Sequence, residues 1–172
     1  MIERAVYRVR QFFHALAAPM TREDEQEARQ ALTPAACALF LRQAPADRRH
    51  GLAVYRALVA QGARSPDLLA AALLHDVGKS GAPLLLGVRV AAVLVERFAP
   101  RLWERLGREE ARGWRRPLVA YRRHAETGAE WAAQAGCSEL TAALIRRHHE
   151  KVGDAEGQDA FLAALQDVDK KW

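Results

Sequence analysis

Five of the six histidines and two late aspartates run in order along the chain: His50, His75-Asp76, His124, His148-His149, then Asp167 and Asp169, with only His14 outside the series. Imidazoles and carboxylates are the side chains that exchange protons near neutral pH and that ligate metal ions. Both doublets follow apolar runs, Leu68 to Leu74 and Leu140 to Ile145, so they are expected in the middle or late turns of helices that face inward. Burying several imidazoles with a carboxylate is costly unless something satisfies them, and a divalent ion does so better than hydrogen bonds alone. Adjacent residues on a helix point about 100° apart, so a His-Asp doublet can aim its imidazole at one ion while the carboxylate spans to a second. Two ions about 3.5–4 Å apart need a carboxylate bridge, and Asp76 is the candidate. A nitrogen-rich set favours transition metals, Fe or Mn foremost with Co, Ni or Zn also suited, over Mg or Ca.

A lone histidine on an apolar face, such as His50 by itself, is usually a packed core residue; the ordered series is what changes that reading. The motif Leu73-Leu74-His75-Asp76-Val77-Gly78-Lys79 is preceded by His50 in Asp47-Arg48-Arg49-His50-Gly51-Leu52-Ala53-Val54 and followed by His124, His148-His149-Glu150 and a terminal Asp. Over about residues 47–169 this resembles the HD superfamily of metal-dependent phosphohydrolases. Its two-metal members include HD-GYP phosphodiesterases, membrane-tethered cyclic-di-AMP phosphodiesterases and small diadenosine-tetraphosphate hydrolases. The resemblance implies that His50, His75, Asp76 and the late Asp hold one ion, and that Asp76 bridges to a second held by His124, His148 and His149. In Leu165-Gln166-Asp167-Val168-Asp169-Lys170 the register is similar to the family's Leu-Gln-Glu-Ala-Asp-Asp, which implies Asp169 as the ligand and Asp167 as its acidic neighbour.

The implied reaction is hydrolysis of a phosphoester of a nucleotide or dinucleotide by metal-activated water, with Asp76 and Lys79 as catalytic groups. Lys79 is placed either to steady a phosphate oxygen or to sit as a cation at a helix C-terminus. Arg49 either reaches substrate phosphate or belongs to an exposed first turn, while Arg122 and Arg123 would help neutralise the substrate. Glu150 either accepts from an imidazole N–H or ends a solvated helix. In place of the Gly-Tyr-Pro signature of HD-GYP proteins the chain reads Gly153-Asp154-Ala155-Glu156-Gly157, which argues against cyclic-di-GMP. The same cage would suit a di-iron centre that activates oxygen, and a degenerate relative would keep the metal as a scaffold or regulator.

These side chains must be positioned by helices, because apolar residues recur at spacings of three and four and no alternating strand is evident. The expectation is all-α, an HD-domain helical bundle with an N-terminal helical extension. Thr33-Pro34 and Ser65-Pro66 set a hydroxyl cap before a proline at the first helical position. Further helices are expected over about residues 3–17, 22–32, 48–61, 84–98, 117–135, 139–150 and 158–169. Breaks are expected at Pro45, Gly62, Gly78 to Pro83, Pro100, Gly113, Gly136 and Gly153, and no internal repeat is evident. The reading is one domain, with residues 1–46 as an N-terminal layer and 47–172 as the catalytic core.

A chain of 172 residues, 50% hydrophobic and 27% charged, has room for one sizeable core and is neither a disordered tail nor a disulfide miniprotein. Cys37 and Cys137 read as small buried hydrophobes in a reducing cytoplasm. Residues 1–18 lack the apolar stretch of a signal peptide, and the longest apolar run, Leu84 to Val95, is broken by Arg89 and is too short to span a bilayer. The expectation is a soluble cytoplasmic protein. Nine arginines against four glutamates in residues 96–123 account for the whole net charge of +5. That segment is either a wall that draws in a phosphorylated small molecule or rests on an anionic membrane, or a solvated face laced by pairs such as Glu104 with Arg108. Nucleic acid is not expected, since no reading motif accompanies the charge.

Overall fold

A computed structural model describes residues 20–81, 95, 99, 116–150, 152 and 157–171. Among these the chain is helical throughout, with no strand: α1 Arg22–Ala31, α2 Pro34–Arg42, α3 Pro45–Ala60, α4 Pro66–Leu74, a 3-10 turn Val77–Gly81, α5 Arg116–Gln134, α6 Glu139–Arg147 and α7 Gln158–Asp169. The helices expected over residues 3–17 and 84–98, His14, and the Arg-rich stretch up to residue 115 lie outside the described residues. Among the described residues no helix is long and apolar enough to cross a membrane.

The starts follow local chemistry. Thr21 caps α1 in a reciprocal box with Asp24, and the hydroxyls of Thr33, Ser65 and Ser138 accept the first free N–H groups of α2, α4 and α6. Helix α3 begins at Pro45, earlier than the expected residue 48, because a proline at the first helical position forfeits no hydrogen bond. Helices α3 and α5 end where Gly62 and Gly136 take positive φ, and the N–H groups of Ala63 and Cys137 turn back to Leu58 O and Ala132 O. Helix α6 stops at Arg147 rather than running to residue 150.

Phe40, Leu58, Leu73, Leu74, Ile145, Leu162 and Leu165 are among the fully buried side chains of a single core cluster that joins α1–α7 and the 3-10 turn. Helix α4 is its hub, packed on α3 and α6. Helices α4 and α6 lie parallel and match in length: Ser65 and Ser138 cap their starts, His75 and His148 cap their ends. At the starts Ser138 Oγ donates to Asp67 Oδ1 at 2.5 Å, and at the ends the rings of His75 and His148 meet at 5.3 Å between centroids. This serine, nine-residue helix, histidine module occurs twice, although no internal repeat is evident along the sequence.

Candidate metal centre

The sequence places the doublets in middle or late helical turns; each begins at the very end of its helix, at the C-cap. His75 and His148 are the C-caps of α4 and α6, in helical backbone conformation, and Asp76 and His149 follow in the turns. The physical reason is that the last carbonyls of a helix lack partners, and a C-cap imidazole can supply one. His75 Nδ1 donates to Ala72 O at 2.9 Å and His148 Nδ1 to Ile145 O at 2.6 Å. On α5, His124 Nδ1 donates to Tyr121 O. A carbonyl only accepts, so all three rings carry a proton on Nδ1, and His124 and His148, whose protonated forms burial disfavours, present a bare Nε2 lone pair.

Those lone pairs converge. His124 Nε2 lies 3.3 Å from His148 Nε2 and 3.1 Å from His149 Nε2. Between His124 and His148 no hydrogen bond joins the two nitrogens, because both protons are committed to carbonyls. Burial pushes the pKa of His124 down to about 4 and that of His148 well below its usual range, so neither ring is held protonated near neutral pH. His149, on the exposed side of the group, is also lowered by burial. Two nitrogens bound at about 2.0–2.1 Å to one ion, at angles of about 90–110°, stand about 2.9–3.4 Å apart. The spacing of His124, His148 and His149 is the spacing of ligands around a cation.

His50, His75 and Asp76 form a second such group. His75 is almost fully buried, and its Nε2 has no well-formed hydrogen bond; the nearest carboxylate oxygen is Asp169 Oδ1 at 3.4 Å. His50 Nε2 donates to the same oxygen at 2.7 Å. Asp76 stands between the groups: Oδ2 is 3.7 Å from His75 Nε2, and Oδ1 is 3.5 Å from His124 Nε2 and 4.0 Å from His148 Nε2. Burial would raise the Asp76 carboxyl, but Lys79 and the surrounding imidazoles outweigh it and hold the group well below the carboxylate range. Asp169 is held far down in the same way: burial would raise it, but the hydrogen bond from His50 and the neighbouring His75 imidazole outweigh that. His75 is raised: its desolvation is outweighed by Asp76 and Asp169. An Nε2 atom without a partner, imidazole lone pairs brought together and one carboxylate facing both groups are what residues able to hold a metal ion present. The ends of α4, α6 and α7 reach this point, and the negative ends of their dipoles, about half a charge each, favour cations there.

Of the two late aspartates, Asp169 joins the cluster, while Asp167 is exposed and pairs with Lys171 Nζ at 2.5 Å. Lys79, in the 3-10 turn, bonds Asp76 Oδ2 at 2.5 Å and lies 5.7 Å from the Tyr121 ring centre. Arg49 is half-buried beside His50, and Arg122 and Arg123 are exposed on α5 just before His124. Glu150 is exposed in the turn after α6, not at a helix end, and its carboxylate accepts from Arg147 at 2.9 Å.

Several positioning residues escaped the sequence reading. Gly78 was read as a break, yet a Cβ there would stand 2.7 Å from the His124 carbonyl carbon and 2.8 Å from its Cα, and would come closer still to its oxygen. Gly128 faces Gly78 N, with a Cβ only 3.2 Å away, so glycines on both elements let α5 lie against the 3-10 turn. An isolated glycine inside a helix is the available signal for such an approach. Gln43 Nε2 donates to Leu73 O at 3.0 Å, tying the end of α4 to α2. Gln166 Nε2 donates to Glu150 O at 2.6 Å, tying the turn after His148-His149 to α7.

Comparison with family models, curated proteins and solved structures yields no match to this chain.

Proposed function

We propose that the protein is a two-metal phosphohydrolase of the HD type that cleaves a phosphoester of a nucleotide or dinucleotide in the cytoplasm. The observation that carries this reading is the convergence of the His124, His148 and His149 nitrogens on one side of Asp76, with His50, His75 and Asp169 on the other. His50, His75, Asp76 and Asp169 would hold one ion, and Asp76, His124, His148 and His149 the other. When bound, such ions supply a hydroxide at neutral pH and stabilise charge on a phosphoryl group.

The chain's own residues prepare that chemistry. The carbonyls of Ala72, Tyr121 and Ile145 hold the Nδ1 protons of three imidazoles and so leave their Nε2 atoms as the ones that would meet an ion. Lys79 orients Asp76 and keeps a positive charge beside the phosphoryl position. Two carboxylates and one ammonium leave a centre with two divalent ions at a net charge of about +3, which selects an anionic substrate.

Metal analysis of protein prepared without chelator is expected to find two transition-metal ions per chain. Protein reconstituted with Fe, Mn, Co or Ni, anaerobically where needed, is then expected to release phosphate or a phosphomonoester from a panel of nucleotides and cyclic dinucleotides without consuming oxygen. Reconstituted protein that cleaves nothing in the panel refutes the reading.

A further inference from the structure

The sequence assigned substrate charge to Lys79, Arg49, Arg122 and Arg123, yet none of these lines the cleft that opens beside the metal centre. That cleft, of about 650 Å³, lies between the turn after α6 and the last turns of α7. His148, His149 and Asp169 are among its lining residues, so a molecule in it borders both halves of the centre. Among the described residues that line it, the outer carboxylates are already paired. Glu150 is paired with Arg147 at 2.9 Å, and Asp167 with Lys171 at 2.5 Å. Lys170 remains: it lines the cleft directly after Asp169, it is exposed, and its ammonium has no ion-pair partner among the described residues. By contrast Lys79 is committed to Asp76. Val152 and Ala163 add a small apolar wall.

We infer that this cleft is the substrate's seat and that Lys170 binds a second anionic group of the substrate, one phosphoryl unit beyond the group at the metal centre. The substrate class is then a compound with two or more linked phosphoryl groups rather than a simple monoester. This inference rests on the two-metal phosphohydrolase reading. The geometry assigns the inner phosphoryl group to the imidazole end and the next to the ammonium at the rim. Attraction between an exposed lysine and phosphate is modest and screened by salt, so the effect on affinity is about fivefold at low ionic strength.

The test compares orthophosphate with imidodiphosphate, whose P–N–P bridge resists hydrolysis, by calorimetric binding to metal-loaded protein freed of excess ion. Wild type is expected to bind imidodiphosphate more tightly than orthophosphate. K170A is expected to lose about fivefold for imidodiphosphate only, with two ions still bound, and K170R to restore it. Unchanged imidodiphosphate affinity in K170A, or an equal loss for both anions, overturns the role of Lys170 and leaves the hydrolase reading standing. Failure of loaded wild-type protein to bind either anion removes both.

Discussion

The tightest constraint on the centre is a glycine, and Gly78→Ala tests it directly. An added Cβ would lie 2.7 Å from the carbonyl carbon of His124 and 2.8 Å from its Cα, against the 3.4 Å at which ordinary contact begins. The obstructing atoms are backbone in the middle of α5, so no rotamer change relieves the overlap. The 3-10 turn and α5 must separate by at least about 0.7 Å, and metal–ligand distances tolerate about 0.2 Å. His124 moves with its helix while His148 and His149 stay on α6 and its turn. The expected result is a loss of about 10- to 100-fold in affinity for the more weakly held ion. Overpacking is expected to cost about 2 kcal/mol, or roughly 4–8 °C in melting temperature for a chain of this size. The assay is metal content after dialysis against graded free metal, with thermal melts under chelator and with metal. A Gly78→Ala protein that retains two ions at wild-type affinity and melts within a degree of wild type would show that the close approach of the two elements does not govern the site.

Asp169→Ala is expected to lose an ion and all turnover, whereas Asp167→Ala, at an exposed residue paired with Lys171, is expected to change stability by less than about 0.5 kcal/mol; equal effects in metal analysis would contradict this assignment. Asp76→Asn leaves the Lys79 ammonium without its closest carboxylate and is expected to cost the chelator-treated protein about 3 kcal/mol, with Lys79→Met in the same chain recovering more than 1 kcal/mol. Urea unfolding measures both, and a double variant no more stable than the single one counts against the pair. In metal-free protein, burial lowers the His124 pKa to about 4, so between pH 6.5 and 4 the unfolded chain takes up the proton that the folded one refuses. Stability present above pH 6.5 is therefore lost as pH falls, by about 3 kcal/mol from His124 alone, since each pH unit is worth about 1.4 kcal/mol. His148 and His149 act in the same sense, and the raised pKa of His75 opposes them. Urea titrations at pH 7 and pH 4.5 that give equal stability would show that these imidazoles are not buried neutral.

What is local was legible in the residues alone: the helical class, the hydroxyl caps at Thr33 and Ser65, the glycine stops at Gly62 and Gly136, and the histidines and aspartates able to ligate. These follow from side-chain chemistry within one turn of the chain, which no distant contact needs to supply. The sequence left open where in their helices the doublets sit, middle or late turn, because apolar periodicity continues into a helix end without marking the C-cap that an imidazole takes by bonding the carbonyl three residues back. Folding is what brings Asp169 to His50 and leaves Asp167 exposed beside Lys171, turns Gly78 from a break into a contact surface, and puts Lys170 rather than Arg122 or Arg123 in the cleft. Each of those depends on which elements meet, Asp169 with His50 across 119 positions or Gly78 with α5, and spacing along the chain carries no measure of that distance.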